Sequence, residues 1–477
     1  MQLRANMQPR ANMPLRADTA TRSVAGRALY CAAMLAITLL LTALKPLSTQ
    51  HAASAAAVDA SVEDVAAIPT SAAAEAQAST SAVFSHFSDR ILKIQIIDTT
   101  SNAKGAIGTG FFVSADGLML TNYHVVSDRI QEPKEHRVEV VLPDGSGRPV
   151  HVLAVDVVHD LAILSTGLRP HRYFTLGPVR LLQGQRLYSL GHPSDLGLTI
   201  VEGTYNGNLQ HTLFPKIHFT GSINPGMSGG PAITADGHVV GVNVSTMGEQ
   251  RSFLVPEQQA TALLARVRAK GFAPANAPLK EVTEQLREYQ QRYLGELLEG
   301  PARHVNFGPF RVLTEPAPVF RCWGGGTASD DRGNSPMYKQ IWHRCGTEDD
   351  IYVSEDQSVG VVALEHVALT SSRLNAVQFA ALYSSQFSED NTPDGSEENV
   401  TLWKCSTRNL ATTRTTLRAV LCMRALRKMP GLYDAVLKVA LLGRSNAGLI
   451  STLTLSGASF ENIDRLSGRY LEQLAWR

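Results

Sequence analysis

The chain reads as mainly β: two β-barrels facing one cleft, followed by helices and a cysteine-containing α+β region. Three observations carry that reading. Short apolar runs recur between Gly- and Asp-bearing turns from residue 91 to residue 244, in two sets that divide near residue 170; this is the pattern of barrels and sandwiches. The period then changes to a helical one through residues 257–299. Finally, Cys322, Cys345, Cys405 and Cys422 all fall in the last third of the chain.

In chain order, residues 1–55 begin with Arg4, Arg10, Arg16, Arg22 and Arg27 against Asp18, then run apolar from Ala28 to Leu44. A basic leader ahead of such a run fits a signal peptide, and its length also reaches the lower limit for a membrane anchor, about 17 residues. Both readings stand. Either way, the arginines stay on the cytoplasmic side and the remainder is exported, to the periplasm or to its face of the inner membrane. Residues 56–83, rich in Ala, Ser and Thr, form a linker that can bury little apolar surface.

Residues 84–270 hold the strands. The first set is Ile91–Ile97, Gly108–Val113, Leu118–Thr121, Val138–Leu142, Val150–Val158 and Leu161–Leu164. The second is Arg186–Leu190, Thr199–Val201, Lys216–Phe219, Pro231–Thr234 and Val239–Val244, closing on a helix over 257–270. Residues 271–300 are a helical connector, with Leu279, Val282, Leu286, Tyr289, Tyr293, Leu294 and Leu297 on one stripe suited to packing. Residues 301–477 form a C-terminal domain with strands, a loop over 324–336 and a polar acidic stretch over 388–399. An apolar run between Gly431 and Gly443 is expected to be helical, then a strand over 449–455 and a helix over 459–474. The four cysteines have no C-x-x-C spacing, so two disulfides in an oxidising compartment are expected. Three pairings exist, and neighbours in sequence are favoured.

The chemistry gathers in Gly226-Met227-Ser228-Gly229-Gly230-Pro231. Glycines on both sides of a serine permit a sharp turn with close backbone approach, which is what an exposed nucleophilic hydroxyl requires. Thr121-Asn122-Tyr123-His124-Val125-Val126 and His159-Asp160-Leu161-Ala162-Ile163-Leu164 add a histidine and an aspartate. The chain order His, Asp, Ser is that of the chymotrypsin acyl-transfer triad. His124 is the expected general base, Asp160 its orienting carboxylate and Ser228 the nucleophile. The N–H groups of Gly226 and Ser228 form the oxyanion hole. Asp156 is a rival carboxylate without the apolar strand behind it.

The stretch from Gly108 to Val126, then Asp160-Leu161-Ala162-Ile163-Leu164, then Ile223-Asn224-Pro225-Gly226-Met227-Ser228-Gly229-Gly230-Pro231 closely resembles the HtrA/Deg-type trypsin-like serine proteases over residues 87–270. The resemblance implies a chymotrypsin-like double β-barrel protease domain and hydrolysis of peptide bonds in envelope or misfolded proteins. It also implies a substrate pocket with the residue six before the nucleophile, Ser222, at its base and Asn243, Val244 and Ser245 along its wall. Thr220-Gly221-Ser222 departs from the acidic residue and two alanines usual in the family. Phe307-Gly308-Pro309-Phe310 is a poor match to a PDZ carboxylate-binding loop, so no PDZ domain is expected.

A net charge of +1 argues against general nucleic-acid binding. The histidines show no metal-ligand spacing and Gly324-Gly325-Gly326 no phosphate-loop context, so neither metal nor cofactor is expected. Two function classes follow: an exported serine endopeptidase acting on protein or peptide substrates, or a chaperone-like binding scaffold whose C-terminal domain selects partners. The intact triad favours the first, and a homo-oligomer remains open.

Overall fold

The computed structural model describes residues 80–246, 250–272, 277–301, 303–327, 336–388 and 395–477. The basic leader, the apolar run, the linker up to residue 79 and half of the acidic stretch lie outside these. Residues 80–87 are helical (α1) and lead into the first strand.

The first set of strands forms one antiparallel sheet: β1 (Ile91–Asp98), β2 (Lys104–Phe112), β3 (Leu118–Thr121), β4 (His136–Val141), β5 (Gly147–Pro149), β6 (His151–Asp156) and β7 (Leu161–Ser165). Their order is β5-β4-β1-β2-β3-β7-β6, with helix α2 (Tyr123–Gln131) between β3 and β4. The second set is β8 (Arg186–Gly191), β9 (Thr199–Asn208), β10 (Ile217–Phe219), β11 (Pro231–Ile233), β12 (Val239–Thr246) and β13 (Ser252–Pro256). It closes into a six-stranded barrel around Leu187, Phe219, Met227, Ala232, Val240 and Leu254.

The expected pair of barrels is therefore one closed barrel and one open sheet. β5 and β6, at the two ends of the sheet order, are consecutive pieces of one segment separated by Val150 alone, so they cannot pair with each other and no ladder joins the two ends. β5 is exposed throughout and ends in Pro149, which has no N–H to donate. Between the two sets, Phe111, Leu120 and Leu161 pack with Tyr188, Leu190 and Val242 in a shared apolar layer, capped by Leu263 of α3 (Glu257–Lys270).

Helix α4 (Pro278–Glu299) buries Val282, Leu286, Tyr289, Tyr293, Leu294, Leu297 and Leu298, so its apolar stripe is used for packing. Beyond it, β14 (Arg303–Phe307) and β15 (Phe310–Thr314) pair, and β25 (Ala475–Trp476) at the chain end joins them. A large sheet follows, made of β16 (Phe320–Gly326), β17 (Lys339–Thr347), β20 (Val362–Thr370), β21 (Lys404–Ala411), β22 (Thr416–Ala425), β23 (Leu432–Leu441) and β24 (Ala447–Ser459). A separate hairpin, β18 (Ile351–Ser354) with β19 (Gln357–Val359), and helices α5 (Ala376–Ser388) and α6 (Phe460–Glu472) complete this region.

The run between Gly431 and Gly443 is strand β23, not a helix. It lies inside the sheet between β22 and β24, and all but one of its residues are buried. A strand covered on both faces loses the apolar–polar alternation that marks a half-exposed one, and the two charged residues of this run, Asp434 and Lys438, stand four apart as on one face of a helix. The α6 helix is capped at its start by the Ser459 hydroxyl, which accepts from the Asn462 N–H at 3.3 Å.

Disulfides join Cys322 to Cys345 and Cys405 to Cys422. The sheet order is β16-β17-β20-β24-β23-β22-β21, so each disulfide ties an outermost strand to its inner neighbour. Edge strands have the fewest partners and fray or mispair most readily, so the covalent ties sit where hydrogen bonding is weakest. Loops of 23 and 17 residues imply about 3 kcal/mol each from restricting the unfolded chain. Cys405→Ser/Cys422→Ser is expected to lower the thermal midpoint by about 3–4 °C. Intact-mass mapping without reductant should return both pairs; four freely alkylated thiols would remove this account.

Candidate active site

The site is built from the junction of β3 with α2, the turn before β7, and the turn before β11. Thr121 ends β3, Asn122 stands at the N-cap of α2, and His124 lies in the first turn of that helix. The Asn122 amide donates to the Asp160 carbonyl oxygen at 2.7 Å. Asp160 in turn accepts twice from His124: from the backbone N–H at 2.8 Å and from Nδ1 at 2.6 Å. The two residues are thus paired before any substrate is present. Asp160 adopts a left-handed backbone, φ 54°, which this double grip and the Asn122 contact hold in place.

Burial pulls the His124 pKa down, but the charge of Asp160 and its hydrogen bond outweigh that pull and leave it above the ordinary value. An Nδ1–H donated to Asp160 leaves Nε2 free to accept a proton. Asp156, the rival carboxylate, is engaged elsewhere. It pairs with His159 Nδ1 at 3.0 Å and lies 3.7 Å from Arg266.

Ser228 is half-buried on the turn before β11. Its hydroxyl donates weakly to the Val244 carbonyl at 3.4 Å. The turn docks against β2. The Thr109 N–H donates to the Ser228 carbonyl at 2.8 Å, and Thr109 Oγ1 donates to the Gly226 carbonyl at 2.7 Å. Gly229, with φ 83°, sits so close to this corner that a Cβ there would lie 2.2 Å from both the Thr109 carbonyl oxygen and Thr121 Oγ1. Only glycine fits.

The same turn aims two N–H groups. A trans peptide carries its N–H opposite its carbonyl. The Pro225 carbonyl is occupied by the Ser194 N–H at 2.9 Å, which turns the Gly226 N–H the other way. The Met227 carbonyl accepts from the Gly230 N–H at 3.1 Å and from the Asn243 amide at 3.2 Å, which does the same for the Ser228 N–H. Ser194 and Asp195, both left-handed, form the supporting loop, and Asp195 is clamped by Lys104 and, at 2.6 Å, by Lys93 of the first sheet.

Residues 108–242 match the family model of the trypsin-like peptidase domain. "Serine protease HTRA2, mitochondrial" of Bos taurus is 36% identical over 169 residues, 33% of this chain and 36% of the relative. A "Probable periplasmic serine endoprotease DegP-like" of Chlamydia muridarum is 31% identical over 185 residues, 38% of this chain and 33% of the relative. Residues 108–242 are a trypsin-like serine protease domain of the HtrA/DegP type. The chain spans about a third of the length of these relatives. The crystal structure of the serine endoprotease from Yersinia pestis aligns with 21% identity and a TM-score of 0.34, over 40% of this chain and 66% of that one.

In this protease domain the expected pocket residues separate. Ser222 is solvent-exposed, as is Ser245, while Val244 is half-buried beside Ser228. Asn243 is fully buried and its amide is consumed internally. It accepts from Ser189 Oγ at 2.9 Å and donates to the Leu190 and Met227 carbonyls, both at 3.2 Å. Its side chain therefore anchors the nucleophile turn and does not line a pocket wall. Cys322, His343 and Cys345 lie together, but both sulfurs are spent in the disulfide and offer no thiolate to a metal.

The sequence reading missed Thr109, which joins the two halves of the site. Its flanking glycines, Gly108 and Gly110, were the visible signal. Thr109→Val should cost about 1–3 kcal/mol, because the Gly226 carbonyl and the His192 N–H lose a buried partner. Denaturant unfolding measures it, and stability within about 0.5 kcal/mol of wild type would show that the contact is dispensable. NMR titration of His124 should give a pKa above that of ordinary imidazole, falling in Asp160→Asn; a value unmoved by that substitution would contradict the pairing.

Proposed function

We propose that the protein is an exported serine endopeptidase that hydrolyses peptide bonds of protein substrates, among them envelope or misfolded proteins, through Ser228, His124 and Asp160. The observation that carries this reading is the doubly hydrogen-bonded His124–Asp160 pair, together with a serine turn whose two N–H groups are both turned away from occupied carbonyls. Attack begins when Ser228 Oγ exchanges its long contact with the Val244 carbonyl for His124 Nε2. His124 takes the hydroxyl proton as Oγ adds to the substrate carbonyl, and the N–H groups of Gly226 and Ser228 hold the developing oxyanion. Collapse expels the amine, which leaves with the proton from His124, and an acyl-serine remains. Water, activated by the same imidazole, hydrolyses it.

Two disulfides at the rims of one sheet suit an oxidising compartment. Several relatives are named as periplasmic endoproteases, which supports the same location here. Ser222, at the proposed pocket base, brings no charge. A buried substrate cation needs an anionic partner, so side chains before the scissile bond should be small to medium and apolar.

Ser228→Ala is expected to lower peptidase activity by at least about a thousandfold while the thermal midpoint is kept. A serine-directed phosphonate should label the wild type at Ser228 only. Activity within about tenfold of wild type in the alanine variant would remove the triad. Because the neutral imidazole is the base, kcat/KM should rise with pH through a pKa above that of ordinary histidine. In a peptide library, a dominant preference for Arg or Lys before the scissile bond would contradict the pocket.

A further inference from the structure

The C-terminal sheet carries a hairpin that leaves it and reaches the histidine. Strand β18 alternates: Ile351 and Val353 are buried, and Tyr352 faces the other way. The Tyr352 ring meets the His124 imidazole at 5.9 Å between centroids, with the planes at 72°. Its hydroxyl lies 3.4 Å from Ser127 Oγ, one turn further along α2. The strand is fixed to the same helix by its backbone, since the Val353 carbonyl accepts from the Tyr123 hydroxyl at 2.9 Å and from the Gln131 amide at 3.2 Å. At the other end the hairpin is rooted. Asp349 pairs with Lys216 of the barrel at 2.8 Å, and the Gly360 N–H donates to the Ser456 carbonyl of β24 at 3.0 Å.

We propose that this hairpin is a positioning element for the histidine and that Tyr352 is the residue through which it acts. The inference rests on His124 being the general base of the proposed peptidase. Asp160 holds one edge of the imidazole, which leaves the ring free to tilt about that hydrogen bond. A second constraint from a different direction removes the tilt, and the Tyr352 ring supplies it across an aromatic contact in the edge-to-face range. Because the hairpin grips α2 at Tyr123, Ser127 and Gln131, it also fixes the helix that carries His124. The C-terminal region thereby becomes part of the working geometry of the cleft.

The test uses the full chain as wild type, Tyr352→Ala, Tyr352→Leu and Tyr352→Phe, with a short activated peptide ester and with 13C-labelled histidine for NMR. Loss of the ring should lower kcat by about tenfold to a hundredfold, because small misplacement of a catalytic group is costly. KM should change by less than about threefold, since the proposed pocket residues Ser222 and Val244 are untouched. Tyr352→Phe keeps the ring and should regain most of the loss, and Tyr352→Leu keeps volume should the alanine variant fail to fold. The His124 resonance should move in Ala and Leu and stay near wild type in Phe. Wild-type kcat in both ringless variants, or a rise in KM alone, overturns positioning. If the wild type turns over no ester and takes no phosphonate, the peptidase reading fails by itself. The His124 resonance then decides the contact: a shift in the ringless variants keeps it, and an unmoved signal overturns it.

Discussion

Thr109 is the point on which the cleft depends. It is fully buried, and four hydrogen bonds converge on it: its N–H to Ser228, its hydroxyl to Gly226, and acceptance from the His192 N–H and the Thr121 hydroxyl. Such a residue has no freedom to shift, because each buried group would lose its partner at once. The serine turn is laid onto β2 at this point. The chain that leaves the same corner through Thr121 and Asn122 becomes the helix bearing His124. One residue therefore holds the proposed nucleophile and the proposed base to a common origin, although they belong to different sheets. Gly229 completes the fit by admitting the corner where any side chain would collide.

Around that corner the support comes from three directions. Lys93 and Lys104 reach across from the first sheet to Asp195, whose loop holds the Pro225 carbonyl. Asn243 braces the turn from the barrel side. Tyr352 arrives from the C-terminal hairpin. Ion pairs, a buried amide and an aromatic edge each restrict a different motion, and none of them substitutes for another.

What could be read in the sequence follows from how local each signal is. The histidine, aspartate and serine stand in short stretches that carry their own turn residues, so their order was visible without a structure. The stripe of α4 was visible for the same reason, since helical spacing is a local property. β23 was misread because a strand covered on both faces has no alternation to display. The open first sheet turned on a break at Val150, where one segment divides into β5 on β4 and β6 on β7, a detail below the resolution of periodicity. Asn243 looked like a pocket residue by position, and only its three hydrogen bonds show that its amide faces inward. The meeting of Tyr352 with His124 joins distant segments and leaves no trace in either one.

A single apolar cluster runs from Ile94 and Val140 of the first sheet, through Val282, Leu286 and Leu294 of α4, to Leu449 and Leu453 of β24. Protein interiors of this kind are close-packed and resist compression. The C-terminal region is therefore no bead on a string that can swing aside or be exchanged for another module by recombination. Cutting the chain at α4 would open a greasy scar on both halves. A lineage that acquired this arrangement could change the two parts only together, one side chain answering another across the seam.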